Sequence, residues 1–164
     1  DIVGADFESK KVFLPQLLMS AEAAKASFEK IKACMSVEDA AVSKFPVVIA
    51  TVHGDIHDIG KNIVKVILEN YGYQVIDLGR DVPPDEVVKT AKRENVKLIG
   101  LSALMTTTLK SMKETIEALR ESGHQCKIVV GGAVLTEEYA SEIGADRYAK
   151  DAKQTVDYAK EILG

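Results

Sequence analysis

The sequence predicts an α/β domain with a flavodoxin-like, doubly wound sheet of five parallel strands, preceded by a helical segment. From Pro46 onward, short runs of β-branched and apolar residues alternate with amphipathic stretches. The runs are apolar on both faces, which is typical of a parallel sheet covered by helices on both sides. The roughly 120 residues after Pro46 fit five βα units, the size of a flavodoxin-like domain.

Composition sets broad limits on function. The 164 residues include 21 Lys+Arg against 25 Asp+Glu, a net charge of −4, so we expect no binding to nucleic acid or to anionic membranes. No apolar run reaches the roughly 18 residues that a membrane span needs. Cys34 and Cys126 form no CxxC pair, which indicates reduced thiols and a cytoplasmic location. Because the chain begins at Asp1 without a methionine, we expect a fragment of a longer protein.

The first 35 residues are predicted to be helical. Apolar side chains recur at spacings of three and four from Leu14 to Met35, the pattern of an amphipathic helix, with Pro15 in its first turn. Such a helix has to pack its apolar stripe on the rest of the chain or on helices that precede it. Residues 36–45 are small and polar and are predicted to be a linker, and residues 46–164 form the α/β domain.

Within the α/β domain each element follows from its own pattern. The predicted strands are Val47–Val52, Tyr73–Leu78, Lys97–Ser102, Lys127–Val130 and Asp146–Ala149. The predicted helices are Lys61–Tyr71, Pro84–Glu94, Thr108–Ser122, Thr136–Ile143 and Ala152–Leu163. Gly72 and Gly123 are predicted to terminate the helices before them.

Ligands of open α/β sheets bind beyond the carboxyl ends of the strands, where the strand order reverses. In the flavodoxin-like order that point lies between the first and third strands, so the segments after strands one, three and four are the candidate site. These segments are the His- and Asp-containing run 53–62, the hydroxyl-rich run 102–108 and the small-residue run 131–133.

The run 53–62 allows several interpretations. A P-loop is disfavoured because Gly60-Lys61 is followed by Asn62, and no G-x-G-x-x-G motif is present. A bare zinc or iron site on His53 and His57, or a solvated loop with Asp55 as a helix cap, stays open. The favoured interpretation has His57 offering one ring nitrogen to a metal inside a large cofactor. Its other ring nitrogen then donates to Asp55.

Three motifs together resemble a known family. Asp55-x-His57-x-x-Gly60, Ser102-x-Leu104 and Gly131-Gly132 are similar to the signatures of the cobalamin-binding domain of methyltransferases and mutases. The phrase Phe13-Leu14-Pro15-Gln16 resembles the end of the helical cap that precedes this domain in cobalamin-dependent methionine synthase. The resemblance therefore favours the methyltransferase branch and implies that residues 1–35 are the remnant of a helical cap.

The resemblance also implies a cofactor, cobalamin, and roles for individual residues. His57 replaces the cofactor's own base as the lower axial ligand of cobalt, Asp55 hydrogen-bonds His57, and a hydroxyl at Thr108 continues that relay. The other residues implied at the cofactor belong to the His57 loop, to the slot for the displaced nucleotide tail, and to the cap over the upper face. They are, in that order, Gly54, Ile56, Asp58 and Gly60; Ser102, Leu104, Thr106, Gly131, Gly132, Ala133 and Ala152; and Phe7 and Leu14.

The function implied is that of a methyl-carrying module of an enzyme, a methionine synthase-like methyltransferase. It would pass a methyl group from methyltetrahydrofolate to homocysteine, in methionine biosynthesis, and would be catalytically incomplete without its methyl-donor and methyl-acceptor modules. Three alternatives stay open. They are a stand-alone corrinoid carrier for methanol, methylamine or aryl methyl ether systems, a non-catalytic cobalamin-sensing module, and a flavodoxin-like domain that binds no cobalamin.

Overall fold

The computed structural model describes residues 3, 6–7, 9–34 and 44–164, in which helices and strands alternate. The helices are α1 (Leu14–Cys34), α2 (Ile59–Asn70), α3 (Pro84–Arg93), α4 (Leu109–Glu121), α5 (Glu137–Glu142) and α6 (Ala152–Leu163). The strands are β1 (Lys44–Thr51), β2 (Tyr73–Asp77), β3 (Leu98–Ser102), β4 (Lys127–Gly131) and β5 (Arg147–Tyr148). A short 3₁₀ helix, Thr106–Thr108, leads into α4.

The strands form one parallel sheet in the order β2-β1-β3-β4-β5. The predicted flavodoxin-like fold is thereby confirmed, and the order reverses between β1 and β3 as expected. Thr51 pairs with Ser102, and Ser102 pairs with Gly131, so β1, β3 and β4 end at the same level. The segments that follow these three strands therefore meet at one edge of the sheet.

Alternate residues of the strands enter two separate cores. One face, with Val48, Ile99 and Ile128, packs against apolar residues of α3, α4 and α5. The other face, with Val47 and Ile49, packs against apolar residues of α2 and α6. Both faces are dry, which is why the strands are apolar throughout.

β1 begins two residues earlier than the predicted start of the α/β domain. Lys44 pairs with Tyr73, and the register shifts between Lys44 and Val47. Pro46 lies at this irregularity, where a residue without an N–H is tolerated in a strand. Residues 36–43 of the predicted linker lie outside the described residues.

α1 starts at the predicted residue and packs against α2. Leu17 and Leu18 are half-buried, whereas Phe13 and Met19 are 71% and 69% exposed. The side chains at the later positions of the predicted stripe lie outside the described residues; they are Ala21, Ala24, Phe28, Ile31 and Met35. Among the helices described, none is both long and apolar enough to cross a bilayer, and the cellular location stays a prediction from the sequence.

Candidate cofactor-binding site

The loop between β1 and α2 forms the centre of the site. It leaves the sheet through a tight turn in which the Asp55 N–H donates to the Val52 carbonyl at 3.1 Å. Gly54 has a φ of +82°, a backbone conformation that side chains disfavour, so glycine suits this turn. The turn directs Asp55 into the protein and His57 toward solvent.

The Asp55 carboxylate is completely buried and fully engaged. Its Oδ1 accepts the His57 backbone N–H at 3.0 Å and lies 2.9 Å from Nδ1 of the same histidine. Its Oδ2 accepts the backbone N–H groups of Leu104 and Met105 at 2.7 and 3.2 Å. The Thr108 hydroxyl lies 2.9 Å from the same oxygen. One carboxylate thus joins the loop after β1 to the segment after β3.

These hydrogen bonds keep Asp55 ionised. Burial by itself would raise the pKa of this carboxyl group. The backbone N–H groups of His57 and Leu104, the His57 ring and the Thr108 hydroxyl outweigh burial, so the pKa of Asp55 lies well below its usual value. A buried anion is therefore present next to the His57 imidazole.

The tautomer of the His57 ring follows from its contact with Asp55. An ionised carboxylate can only accept, so Nδ1 carries the proton and donates it, and the lone pair is left on Nε2. The His57 side chain is 45% exposed. Among the described residues no hydrogen-bond partner is found for Nε2. The ring therefore presents a free, electron-rich nitrogen to whatever lies above the loop.

Thr108 provides the outer end of this hydrogen-bond chain. Its side chain is buried, and its hydroxyl lies 2.9 Å from both the Asp55 Oδ2 and the Met105 carbonyl oxygen. A hydroxyl has one proton, so Thr108 donates to only one of the two acceptors at a time.

A cavity of about 480 Å³ lies beside the loop, between α2 and α6 on the face of the sheet that holds Ile49. Predicted residues from four segments line it. They are Gly60, Ser102, Leu104, Gly131, Gly132, Ala133 and Ala152. A Cβ at Gly60 would meet nothing within 4 Å, so the missing side chain leaves that side of the cavity open.

Other predicted residues lie outside the cavity lining. Thr106 is exposed in the 3₁₀ helix, and Asp58 precedes α2 without a side-chain capping bond. Phe7 is 38% exposed and Leu14 is half-buried at the start of α1. The structure does not bring Phe7 or Leu14 to the cavity. Ile56 is 60% exposed on the His57 loop itself.

Several cavity residues were missed from the sequence. They are Ile49, Lys61, Val64, Gly100, Tyr148 and Thr155. Lys61 is nearly completely buried, and its Nζ donates to Asp77 Oδ1 at 2.6 Å. The available signal was its spacing, because Lys61 lies three and seven residues before the apolar Val64 and Leu68 of α2, on the same helix face.

The residues present fit a corrinoid cofactor. An exposed imidazole with a free Nε2 has the donor atom that a metal ligand needs. Its carboxylate partner fixes the ring in the way common to metal-binding histidines. Ile56, Ile59 and Leu104 provide exposed apolar surface around it. The cavity falls within the roughly 300–1,000 Å³ of small-molecule sites. Fold and site together define a cobalamin-binding domain.

Comparisons with known proteins agree. A B12 binding domain model matches residues 46–157, and a second B12 binding domain model matches residues 1–32. Dimethylamine corrinoid protein 1 of Methanosarcina acetivorans is 48% identical over 98% of this chain and 76% of the relative. The chain therefore belongs to the B12 binding domain family, and cobalamin is confirmed as its predicted cofactor.

Solved structures give the same result. A cobalamin-binding protein from Desulfitobacterium hafniense matches with a TM-score of 0.85 at 35% identity, over 99% of this chain and 77% of that one. The methanol:cobalamin methyltransferase complex MtaBC from Methanosarcina barkeri matches with a TM-score of 0.78 at 35% identity, over 97% and 60%. The second structure is a methyltransferase complex, in line with the prediction of methyltransferase subunits as partners.

These findings correct one expectation. The chain is not the cofactor module of a methionine synthase-like enzyme, because its relatives are corrinoid proteins such as the one named for dimethylamine. Methionine biosynthesis is accordingly unsupported. The coarser prediction, a corrinoid-binding methyl carrier, is confirmed. The error has a physical reason. The three motifs were interpreted as the residues that hold the cofactor, and how a cofactor is held does not depend on the methyl donor.

Proposed function

We propose that this protein is a corrinoid carrier of a methylamine- or methanol-type methyl-transfer system. Support comes from relatives named for dimethylamine and for a methanol:cobalamin methyltransferase complex. The observation that carries the proposal is the His57 ring, exposed at the carboxyl edge of the sheet with its Nδ1 held by a buried carboxylate at 2.9 Å. In this proposal Nε2 of His57 would bind the cobalt of the cofactor.

Each residue of the loop has its own task. When bound, the cofactor supplies a cobalt centre that accepts and gives up the methyl group. Asp55 holds the proton on Nδ1 of His57 and thereby keeps the lone pair on Nε2. Thr108 donates to Asp55 and limits how much of that proton the carboxylate can take. The chain of three residues thus fixes the orientation and the tautomer of the imidazole.

The cavity is proposed to receive the nucleotide tail of the cofactor, which would be free of cobalt if His57 binds the metal. It opens at the same edge of the sheet as the His57 loop, and both Gly60 and Leu104 line it. Small residues after β4 and at the start of α6 keep the cavity free of side chains on two further sides. Ser102 adds a hydroxyl to the cavity lining, and this hydroxyl is the proposed hydrogen-bond partner of the tail.

The helical segment is proposed to be part of a cap over the upper face of the cofactor. The match of residues 1–32 to a B12 binding domain model supports this assignment. Phe7 and Leu14 are the proposed contacts from the cap. Residues 36–43 are the proposed linker, and the proposed cofactor domain begins with β1 at Lys44. A separate methyltransferase subunit is the proposed partner, because the related methanol protein forms such a complex.

The ligand assignment is tested by the absorption spectrum of the protein loaded with cobalamin. We expect a spectrum with the cofactor's own base displaced and an imidazole bound, and loss of that spectrum in His57→Gly. His124→Gln is a matched control. Its Nε2 contacts the Val96 carbonyl at 2.8 Å, at the opposite edge of the sheet. An unchanged spectrum in His57→Gly would refute the assignment.

The carrier role is tested by methyl transfer. The reduced, loaded protein is expected to accept a methyl group from methyl iodide. It should also accept one from a methylated amine or from methanol in the presence of the matching methyltransferase subunit. A protein that binds cobalamin tightly but accepts no methyl group from either source would be a cobalamin sensor, which would contradict the proposal.

A further inference from the structure

The loop that presents His57 is held from two sides. Asp55 holds it from inside the protein, and Asp81, in the loop between β2 and α3, holds it from outside. Asp81 Oδ1 accepts the Gly54 backbone N–H at 2.7 Å and lies 2.8 Å from Nδ1 of His53. In return, the Asp81 backbone N–H donates to the Asp55 carbonyl oxygen at 3.0 Å. The two loops are therefore joined by reciprocal contacts.

The backbone at Asp81 is shaped for this contact. Its φ is +55°, in the left-handed region that non-glycine residues rarely adopt. The next residue, Val82, is anchored, because it bridges to Val52 and its N–H donates to the Thr51 carbonyl at 3.1 Å. Asp81 thus extends from a fixed point beside β1, and its carboxylate lies directly over the turn at Gly54.

The contact between Asp81 and Gly54 is exposed to solvent, so we expect it to contribute little to the stability of the fold. The Asp81 side chain is 53% exposed, so if it is removed, water replaces it as the acceptor and little free energy of folding is lost. A water molecule in place of the carboxylate would not, however, hold the Gly54 N–H in one direction. Gly54 immediately precedes Asp55, and a change in its left-handed conformation would rotate the peptide that leads to His57.

We infer that Asp81 is a positioning residue that fixes the direction in which the loop 53–57 presents the imidazole of His57 to cobalt. It acts through the Gly54 N–H and the Asp55 carbonyl and touches neither the His57 ring nor the cavity lining. His53 shares the same carboxylate oxygen and adds a second donor from the loop. The inference rests on the proposed role of His57 as lower ligand.

The test compares Asp81→Ala with Asp81→Asn. The amide oxygen of asparagine can still accept the Gly54 N–H, whereas alanine cannot. In the cobalamin-loaded protein, Asp81→Ala is expected to lower the ratio of imidazole-bound to imidazole-free cofactor roughly tenfold, at the low end of effects from outer partners of metal ligands. Asp81→Asn is expected to restore most of that ratio. Asp85→Ala, an exposed acid in the first turn of α3, is the control.

A second measurement needs no cofactor. Amide hydrogen exchange at Gly54 is expected to accelerate in Asp81→Ala and to stay slow in Asp81→Asn, with thermal unfolding little changed in both. A ratio in Asp81→Ala equal to that of the unsubstituted protein would overturn the inference. An equal fall of this ratio in Asp81→Ala and in Asp81→Asn would also overturn it. If the unsubstituted protein never binds cobalt through His57, the proposed function itself fails, and the exchange data separate that result from a failure of the loop contact.

Discussion

Two acidic residues follow neighbouring strands, and their surroundings differ. Asp55 comes after β1 and is completely buried, with hydrogen bonds from backbone N–H groups, a hydroxyl and an imidazole. Asp77 ends β2 and lies between two ammonium groups, Lys61 at 2.6 Å and Lys65 at 3.2 Å. It also accepts the Gly79 N–H at 2.9 Å.

Under the proposed function, the difference separates an acid that stabilises the fold from an acid that acts on the cofactor ligand. The charge of Asp77 is balanced by cations of α2, so its contacts tie that helix to β2. No lysine or arginine pairs with Asp55 in the described part of the chain. Neutral donors keep Asp55 ionised without cancelling its charge, and that charge is left to act on His57. The same side chain thus serves two purposes at adjacent strand ends.

The largest expected effect is on the free energy of unfolding, when the ion pair between Lys61 and Asp77 is broken. Lys61→Met is expected to lower the free energy of unfolding by about 3 kcal/mol, because it breaks a buried ion pair while Lys65 remains. Urea denaturation of the cofactor-free protein measures this. Lys65→Met, at a side chain that is 34% exposed, should cost less than about 1 kcal/mol. Equal losses in the two variants would contradict the ranking.

The next effect is on ligation at Asp55. Asp55→Asn keeps the size of the side chain but removes the charge and turns one acceptor into a donor. We expect the ratio of imidazole-bound to imidazole-free cobalamin to fall about 10- to 100-fold, measured by absorption spectroscopy at a temperature where the variant is folded. Asp77→Asn is the matched control and should leave the ratio unchanged. A variant with intact ligation would show that the Asp55 charge does not act on His57.

A smaller effect is expected at Thr108. Thr108→Val removes one hydroxyl at nearly constant volume and should cost about 1 kcal/mol of stability, with a slight weakening of ligation. Thr108→Ser keeps the hydroxyl and should restore the ligation. If Thr108→Val keeps the ligation of the unsubstituted protein, the hydroxyl does not act on His57, which would remove Thr108 from the relay.

The smallest effect is a pH dependence. Burial opposes ionisation of Asp77, but the hydrogen bond from Lys61, the Gly79 N–H and the charge of Lys61 lower its pKa below the ordinary 3.8. A carboxyl with a lowered pKa contributes stability above its ordinary pKa and loses it as the pH falls through the folded-state value. The stability difference between the unsubstituted protein and Asp77→Asn should therefore shrink below about pH 4. Urea denaturation across that range measures it, and a constant difference would contradict the assignment.

Local patterns predicted the sheet, its order, the helices and the Asp55–His57 contact, because each depends on residues close together in the sequence or on general rules for parallel sheets. The burial of Lys61 was not predicted, since its partner Asp77 lies 16 residues away on another element. The contact of Asp81 with Gly54 spans 27 residues and depends on how two loops meet. Phe7 and Leu14 were assigned by resemblance, and no pattern in the sequence tells how a helix at the start of the chain sits over the sheet.

Gly132 limits how wide the opening of the cavity can be. Its φ is +144°, and a Cβ at that position would collide with the carbonyl oxygen of Ala103, so the segments after β3 and β4 touch through their main chains. The width of the opening is fixed there by peptide groups. An engineer who wished to admit a bulkier corrinoid would have to alter the length of these segments, whereas larger side chains at Ala133 or Ala152 could only make the opening narrower.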